Sequence, residues 1–351
     1  MESSDNNEKP RRRQRYKGTH PKAFKEKYKE QQPEKYAADV AKVIERGQTP
    51  AGMHRSICVD EIMQFLDVQP GQIGLDATLG YGGHSLELLK RLTPGGHLFA
   101  TDVDPLELPR TQERLHKAGF GPEVFTARQL NFSEIDTIVL ESGPLNFVLA
   151  DLGVSSMQID NPDRGFSFKV EGPLDLRLNP WSGKPASYLL KNITAERLEE
   201  IFTDNADEPH AELIARAIVN RRSKGQFITT TRQLQQAIAD ALHFLPPEHK
   251  DGDIKKACQR CFQALRIEVN HEFEVLDTFL EKLPGVLAPG GRVAILTFHS
   301  GEDRRVKKSF QRFFREGVYL AIAKEPVRPS AEECARNPRA KSAKLRWAVL
   351  G

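Results

Sequence analysis

The stretch DATLGYGGHS, Asp76 to Ser85, decides the fold of this chain. It follows the short apolar run QIGL and leads into LELLKRL, whose apolar residues have helical spacing. A glycine-rich turn between a strand and a helix lets a ligand approach backbone N–H groups at the helix N-terminus. The turn therefore predicts an α/β protein with a ligand at this point, and it raises the question of which ligand.

Strands and helices alternate on both sides of this turn. HLFATDVDP, EVFTARQLNF, NFVLADLGVSS and, much later, APGGRVAILTF are predicted strands, and helical segments separate them. Between about Asn161 and Phe262 the alternation stops, and segments such as TAERLEEIF and TTRQLQQAIADALHFL predict helices. The prediction is a Rossmann-like, doubly wound α/β sheet, residues 51–160 and 263–351, interrupted by a helical insertion domain, residues 161–262.

Acidic residues end three of the predicted strands: Asp76, Asp102 and Asp151. Ligands of open α/β sheets bind at these carboxyl ends. An acid at Asp76 suits a ligand ammonium and would repel a pyrophosphate, and an acid at Asp102 suits ribose hydroxyls. The turn also lacks the third glycine of the dinucleotide fingerprint. These features favour S-adenosylmethionine over a nicotinamide dinucleotide, and a structural turn without any ligand stays open.

Bulk composition indicates a soluble globular protein. No apolar run is long enough to span a bilayer, and the polar N-terminus resembles neither a signal nor a transit peptide. Four cysteines in 351 residues are too few for a disulfide framework. We therefore expect a cytoplasmic protein.

Residues 1–50 are predicted to form a basic, flexible arm with a helix near 34–46. From Lys9 to Lys29 the chain has ten Lys or Arg against one acid, with three aromatic residues between them. Such a segment is attracted to phosphates, and its aromatic rings can stack on bases. Contact with RNA and a purely solubilising tail are both consistent with this pattern.

Six motifs, in order, carry a resemblance to a known family: DATLGYGGHS, DLGVSSMQID, DRGFSF, FQALRIEVN, FHSGEDRRVK and AKSAKLR. From about His54 to the C-terminus the chain resembles the bacterial 16S ribosomal RNA cytosine-N4 methyltransferases. The resemblance implies a class I methyltransferase with an inserted helical, substrate-recognising domain. It also implies S-adenosylmethionine as cofactor, a cytosine amine as acceptor, and ribosomal RNA or the small ribosomal subunit as partner.

The resemblance assigns the methionine end of the cofactor to Gly82, Gly83 and His84, the ribose to Asp102, and the adenine to Phe132. Asp151 and Gln158 match further cofactor contacts. With the two residues taken from the turn itself, the predicted cofactor site is Asp76, Gly80, Gly82, Gly83, His84, Asp102, Phe132, Asp151 and Gln158. Asp151 is the first candidate for a catalytic role, and His299 and Ser300 are the second.

Residues in the insertion are candidates for RNA contact. Arg164, Phe166, Phe168 and Arg177 have the chemistry to grip a phosphate backbone or stack a base. The resemblance adds two residues from RIEVN, which are Arg266 and Asn270. For each arginine, a structural ion pair inside the insertion is an equal alternative.

Two further features bear on the prediction. The chain has Gly301 where the family usually has leucine, which concerns the face that would meet RNA. Cys258 and Cys261 have C-x-x-C spacing, but without a second pair they predict small residues on a helix and no metal site.

The sequence thus predicts an S-adenosylmethionine-dependent methyltransferase of a cytosine N4 amine in small-subunit ribosomal RNA. A paralogue that methylates another RNA position and an RNA-binding assembly factor with vestigial activity are alternatives, and a nicotinamide oxidoreductase is a remote one. We expect no membrane and no metal as partners, and a homodimer stays open.

Overall fold

The computed structural model describes residues 56–351, and the predicted N-terminal arm lies outside them. Seven strands of the described residues form one sheet in the order β3-β2-β1-β4-β5-β7-β6. Strands β1 to β5 are parallel, and β7 is antiparallel to both of its neighbours. The strands are β1 (Ile73–Asp76), β2 (His97–Asp102), β3 (Phe125–Gln129), β4 (Leu145–Asp151), β5 (Leu287–Thr297), β6 (Tyr319–Ile322) and β7 (Lys344–Leu350).

Helices connect the strands on both faces of the sheet, which confirms the predicted Rossmann-like α/β fold. Before and between the first four strands lie α1 (Val59–Leu66), α2 (Gly83–Leu92), α3 (Glu107–Lys117) and α4 (Asp136–Ser142). Between β4 and β5 lie α5 (Ser156–Asp160), α6 (Ala186–Asn192), α7 (Ala195–Ala206), α8 (Ala211–Ser223), α9 (Thr231–Ala241), α10 (Pro247–Asn270) and α11 (Glu272–Val286). After β5 follow α12 (Ser300–Arg315) and α13 (Ala331–Arg336).

Strand β4 shows why a buried parallel strand has a continuous apolar sequence. Its side chains alternate between the two faces of the sheet, and both faces are covered by helices. Phe147 and Leu149 join the cluster that contains Leu88 of α2. Val148 joins the opposite cluster, which contains Leu280 of α11. The apolar run NFVLA therefore fixes the centre of the sheet and brings Asp151 to its edge.

Helices α6 to α10 pack around a hydrophobic cluster of their own, which includes Phe202, Leu234 and Leu265. Cys258 and Cys261 are both fully buried in this cluster, one turn apart on α10. Both cysteines pack as small apolar side chains, which is what their C-x-x-C spacing on a helix predicted. The predicted domain boundary between residues 262 and 263 falls inside the continuous helix α10. The division of the chain into two domains therefore stays a prediction.

Some elements were not predicted from the sequence. The unusual segment LPPEHKDGDIKK contributes the first turns of α10, and the antiparallel strands β6 and β7 complete the sheet. No helix in residues 56–351 is both long enough and apolar enough to cross a membrane.

Candidate active site

The three predicted acids end adjacent strands at one edge of the sheet. Asp76 is the last residue of β1, Asp102 of β2 and Asp151 of β4. Strand β1 pairs with both of the others, so its acid lies between theirs. Because parallel strands end on the same side, a local sequence signal placed these residues correctly on one edge.

The glycine turn is fixed from several sides. Gly82 caps α2 with a φ of +79°, and a Cβ there would lie 2.7 Å from the Cγ2 of Thr111. The hydroxyl of Thr111 donates to the carbonyl of Gly80 at 2.6 Å. The amide of Gly80 donates to Oδ2 of Asp102 at 2.8 Å. Glycine at 82 is thus required by close packing, and no side chain caps α2 within the described residues.

Asp76 lies beneath this turn and is buried. Its Oδ2 accepts a hydrogen bond from the hydroxyl of Ser85 at 2.6 Å, and its Oδ1 accepts one from the amide of Thr78. Burial raises the pKa of Asp76 in spite of these bonds. The contacts make Asp76 an organiser of the turn, and its predicted role as an ammonium ligand stays a prediction.

Asp102 holds two loops together. Besides the Gly80 amide, it accepts a hydrogen bond at Oδ1 from the amide of Asp104 at 2.9 Å. Burial raises the pKa of Asp102 to about 6, and the charges of Asp104 and Asp76 act in the same direction. A carboxylate with these properties is stabilised by ligand hydroxyls that donate to its remaining lone pairs.

Asp151 has the least satisfied carboxylate of the three. Its Oδ1 is buried and has no hydrogen-bond partner among the described residues. Its Oδ2 lies 3.6 Å from Nδ1 of His84, whose Nε2 lies 3.0 Å from the carbonyl oxygen of Ile57. Because that carbonyl can only accept, Nε2 carries a hydrogen. Burial raises the pKa of Asp151 to about 6, and the charges of Asp76 and Glu302 add to the rise, whereas His84 opposes it.

Gln158 and Arg164 converge on a residue that sequence reasoning missed, Asp104. The Nε2 of Gln158 donates to Oδ2 of Asp104 at 2.8 Å, and Nη1 of Arg164 donates to the same oxygen at 2.6 Å. Arg164 also donates to the carbonyls of Arg177 and Leu178. The only available signal was the second acid of the motif ATDVDP.

The other candidates for RNA contact have intramolecular partners. Arg177 makes a two-pronged ion pair with Asp175, both bonds at 2.7 Å. Arg266 binds both carboxylate oxygens of Glu272. Asn270 bonds to the backbone on either side of Arg177, accepting from Leu178 N and donating to Leu176 O.

The two phenylalanines of DRGFSF are half-buried. The ring of Phe166 lies 5.6 Å from the guanidinium carbon of Arg164, and Phe168 packs edge-on against Phe262. RNA contact by these six residues stays a prediction.

His299 and Ser300 begin α12 beside the sheet edge. His299 is the N-cap residue, and its Nε2 lies 3.1 Å from Oε1 of Glu302. Burial alone would raise the pKa of Glu302, but His299, Arg266 and a backbone amide bring it below the usual value. Because Glu302 also raises the pKa of Asp151, the two catalytic candidates belong to one charge network. Ser300 is exposed.

Glu272 approaches the same histidine. Glu272, His299 and Glu302 offer ligand atoms within 4.8 Å of one another, which is compatible with a metal ion. Arg266, however, already neutralises Glu272 through two bonds of 2.7 and 2.8 Å. The group is therefore arranged as an ion-pair network.

A cavity of about 870 Å³ opens beside Val103, the residue that follows Asp102 at the end of β2. Val103, Leu130 and Asn131 line it from the edge of the sheet, and Arg177 and Asn270 line it from the helical segment. Phe132 follows directly and packs edge-on against Phe279, with ring centroids 5.0 Å apart. A nucleoside whose ribose reached Asp102 would thus have its base beside apolar side chains.

The donor set fits a cationic nucleoside ligand. A buried carboxylate, Asp76, and two half-buried ones, Asp102 and Asp151, lie on neighbouring strands, and desolvation raises the pKa values of all three. Such a group is destabilised by mutual repulsion until a cation arrives. A ligand that combines a positive charge, a ribose diol and a base would satisfy the acids, the Asp151 Oδ1 atom and the cavity together.

Comparisons with known proteins agree with this geometry. The model of the MraW methylase family matches residues 51–350. The chain is 68% identical to the ribosomal RNA small subunit methyltransferase H 2 of Alkaliphilus metalliredigens, over 98% of this chain and 99% of that protein. It is 61% identical to a methyltransferase H 1 of Lachnoclostridium phytofermentans, over 97% and 93% of the two chains. It is 42% identical to a methyltransferase H of a Synechococcus strain, over 88% and 97%.

Proposed function

The chain belongs to the MraW methylase family, and from that premise we propose that it methylates the exocyclic N4 amine of a cytosine in small-subunit ribosomal RNA. The names of its relatives give the substrate class, since they are small-subunit ribosomal RNA methyltransferases. The observation that carries the choice of an amine is Oδ1 of Asp151. It is a buried acceptor without a partner in the described residues, at the carboxyl end of β4.

S-adenosylmethionine is the methyl donor. Asp102 would hold the ribose, the glycine turn and His84 the methionine end, and Val103 with Phe132 the adenine. Bound there, the cofactor supplies an electrophilic methyl group on a sulfonium. The positive charges of this ligand offset the repulsion among Asp76, Asp102 and Asp151.

The acceptor amine is the difficult partner in this reaction. The lone pair of a cytosine N4 is delocalised into the ring, so the nitrogen must be held in line with the methyl group. A hydrogen bond from N4 to Oδ1 of Asp151 orients the amine and increases electron density on the nitrogen. As the new N–C bond forms, the bond between sulfur and the methyl carbon would break and S-adenosylhomocysteine would leave. The nitrogen must also lose a proton, which the same Oδ1 would accept.

Positioning of the two reactants is expected to lower the activation barrier more than general-base catalysis does. Holding two reactants in a productive geometry is worth roughly 7–11 kcal/mol. A general base contributes about 10²–10⁴-fold, or roughly 3–5 kcal/mol. We assign both purposes to Asp151, whose Oδ1 has no hydrogen-bond partner among the described residues.

The second candidate is the start of α12. His299 lies between two carboxylates and against the ring of Phe273, so its orientation is fixed. Ser300 is exposed and can donate a hydrogen bond to substrate. We assign these residues to binding of the acceptor base, with Asp151 as the residue that takes the proton.

The acceptor base must leave its stack to reach this site. A cytosine inside a helix does not present N4 to a pocket, so the target is an unpaired or extruded nucleotide. Arg177 and Asn270, on the cavity wall, are our candidates for contact with it. Arg164 and Arg266 are engaged in ion pairs and, unlike Arg177, do not line the cavity, so they would act by holding the loops in place.

The test is methyl transfer from labelled S-adenosylmethionine to small ribosomal subunits that lack the modification, followed by mass spectrometry of the RNA. A methyl group on a cytosine N4 is the expected result. A methyl group at another position would replace the proposed target with a different one. Firm cofactor binding without any transfer would favour an RNA-binding assembly factor, and the Asp151→Asn variant is the matched control for background transfer.

A further inference from the structure

Three exposed aromatic side chains lie in the segment between β4 and β5, and two of them contact lysines. Trp181 is 71% exposed, Tyr188 49% and Phe227 46%. The Nζ of Lys184 lies 5.1 Å from the centroid of Tyr188, and the Nζ of Lys191 lies 5.5 Å from that of Phe227. We call these five residues the aromatic–lysine strip. Aromatic rings of this size are usually buried, so three in one region require an explanation.

The strip is held by a rigid support. Arg177 donates to the carbonyl of Gly183 at 3.2 Å, and Oδ1 of Asn179 accepts from the amide of Trp181 at 3.0 Å. Tyr188 and Lys191 are three residues apart on α6, so they share one face of the helix. At the C-terminal end of α6, Arg222 donates to the carbonyl of Ile193 at 2.5 Å.

The two segments that carry the strip have basic side chains and no acidic ones. The segment LNPWSGKPASYLLKNIT, residues 178–194, contains two lysines and no acid. The segment RRSKGQFITTTR, residues 221–232, which carries Phe227, contains four basic residues and no acid. Positive charge interleaved with exposed rings is the pattern of surfaces that bind single-stranded nucleic acid.

The strip is continuous with the cavity of the candidate active site. Gly183, Lys184 and Tyr188 line that cavity, whose opposite wall contains Val103. A strand that placed one nucleotide in the cavity would therefore pass over α6 with its next nucleotides. Lys191 and Phe227 also share the lining of a second, small depression beside α6.

We propose that the aromatic–lysine strip binds unpaired RNA beside the target nucleotide, with bases stacked on Trp181, Tyr188 and Phe227 and phosphates paired with the two lysines. The proposal rests on the proposed function in that the substrate is RNA. The two segments that carry the strip contain basic residues and no acid, and this charge complements the phosphates of RNA. Stacking does not depend on the base, so the strip contributes affinity and direction and little sequence preference.

The fluorescence of Trp181 reports the contact directly. The chain contains two tryptophans, and the other, Trp347, stacks on Phe65 at 4.7 Å. A Trp347→Phe variant of the full chain leaves Trp181 as the reporter. We expect a single-stranded RNA oligonucleotide to quench its emission to saturation, and an RNA duplex of equal length to quench it far less. Unchanged emission, or equal quenching by the duplex, would overturn the proposal.

Variants test the energetic contribution. Trp181→Ala, Tyr188→Ala and Phe227→Ala should each raise the Kd for the oligonucleotide by roughly 5- to 100-fold. Leu320→Ala and Phe314→Ala are matched controls, because these side chains are 67% and 46% exposed outside the strip. The affinity for S-adenosylhomocysteine should not change in the Trp181 and Phe227 variants, because neither side chain is among those that line the cavity.

The salt dependence of binding separates the lysines from the rings. Lys184→Gln and Lys191→Gln should each lower the slope of log K against log salt by about 0.7, whereas the alanine variants should leave the slope unchanged. Oligonucleotide affinity that is insensitive to all five substitutions would overturn the proposal. Failure of the proposed function is a separate result: the wild-type chain would quench with RNA yet transfer no methyl group to subunits.

Discussion

The ring of Phe273 fills the space into which a side chain at Gly301 would project. A Cβ on Gly301 would lie 2.6 Å from the Cζ of Phe273 and 3.2 Å from the Nδ1 of His299. The family that the sequence resembles usually has leucine at this position. In this chain the space beside His299 is therefore filled from α11.

We predict that Gly301→Leu destabilises the protein and that Phe273→Ala relieves the effect. The single leucine overpacks the contact and should cost about 1–3 kcal/mol in the free energy of unfolding. In the double variant the two changes should be coupled by about 0.5–3 kcal/mol, measured by urea unfolding of all four proteins. If the two substitutions had additive effects on the free energy of unfolding, the ring of Phe273 would be able to move aside without cost.

Arg164→Ala should be among the most destabilising substitutions in the chain. It removes the guanidinium that neutralises Asp104, a carboxylate with almost no solvent access, so the expected loss is about 3–5 kcal/mol. Arg110→Ala is the control. Arg110 pairs with Glu107, but its own side chain is exposed, so the ion pair should contribute at most about 1 kcal/mol to the free energy of unfolding. Similar losses for the two variants would show that the Asp104 site hydrates readily.

The pKa of Asp151, about 6, predicts an acidic limb in the rate of methyl transfer. Below that pH the carboxyl group is protonated and cannot accept from the amine, so the rate should fall about tenfold per pH unit. Asp151→Asn should lower the rate by about 10²–10⁴-fold and abolish the limb. A limb that persists in this variant would assign it to another group.

The substitution Asp151→Asn should also stabilise the protein at alkaline pH. The folded-state pKa of Asp151 lies above its ordinary value of 3.8, so the group favours folding fully below pH 3.8 and loses that contribution as pH rises through about 6. Asp151→Asn removes the buried charge and should raise the free energy of unfolding at pH 8 by up to about 3 kcal/mol. The gain should shrink towards pH 4, which thermal unfolding across this range can measure.

Asp102→Ala should weaken cofactor binding by about 1–3 kcal/mol, because it removes acceptors for the ribose hydroxyls and for the Gly80 amide. Calorimetry with S-adenosylhomocysteine measures this loss. For the wild-type chain the affinity should also fall below pH 6, where Asp102 is protonated. Glu113→Ala, an exposed change on α3, should leave the affinity alone. Unchanged binding by the Asp102 variant would place the ribose elsewhere.

Deletion of residues 1–50 should weaken RNA binding and flatten its salt dependence. This prediction rests on the ten basic residues between Lys9 and Lys29 alone. A filter-binding titration at several salt concentrations would measure the slope. An unaltered slope would assign the arm to solubility.

The edge of the sheet was predictable because its signals are local. A strand that ends in an acid, followed by a turn, places that acid at the carboxyl edge whatever the remainder of the chain does. Asp76, Asp102 and Asp151 were found in this way, and the glycine turn was found with them.

The partners of these residues were less accessible to sequence reasoning. Arg164 reaches Asp104 across 60 positions, and His84 contacts Asp151 and Ile57 across chain separations that no periodicity encodes. Gly301 departs from the family pattern, and the sequence around it does not show why. The reason is the ring of Phe273, which lies on another helix and fills the space beside Gly301. Pairings of this kind depend on packing in three dimensions.

The long separation in sequence between β4 and β5 affects how the chain folds during synthesis. These two strands are neighbours in the sheet, yet the whole helical segment and α11 separate them in sequence. Strand β4 therefore emerges from the ribosome as an unpaired edge and waits for about 130 further residues, roughly ten seconds of translation. During that time its open hydrogen-bonding groups and the apolar run NFVLA are exposed to other nascent chains. We expect this interval to be when the protein depends most on a chaperone, and slower translation of the insertion to reduce its soluble yield.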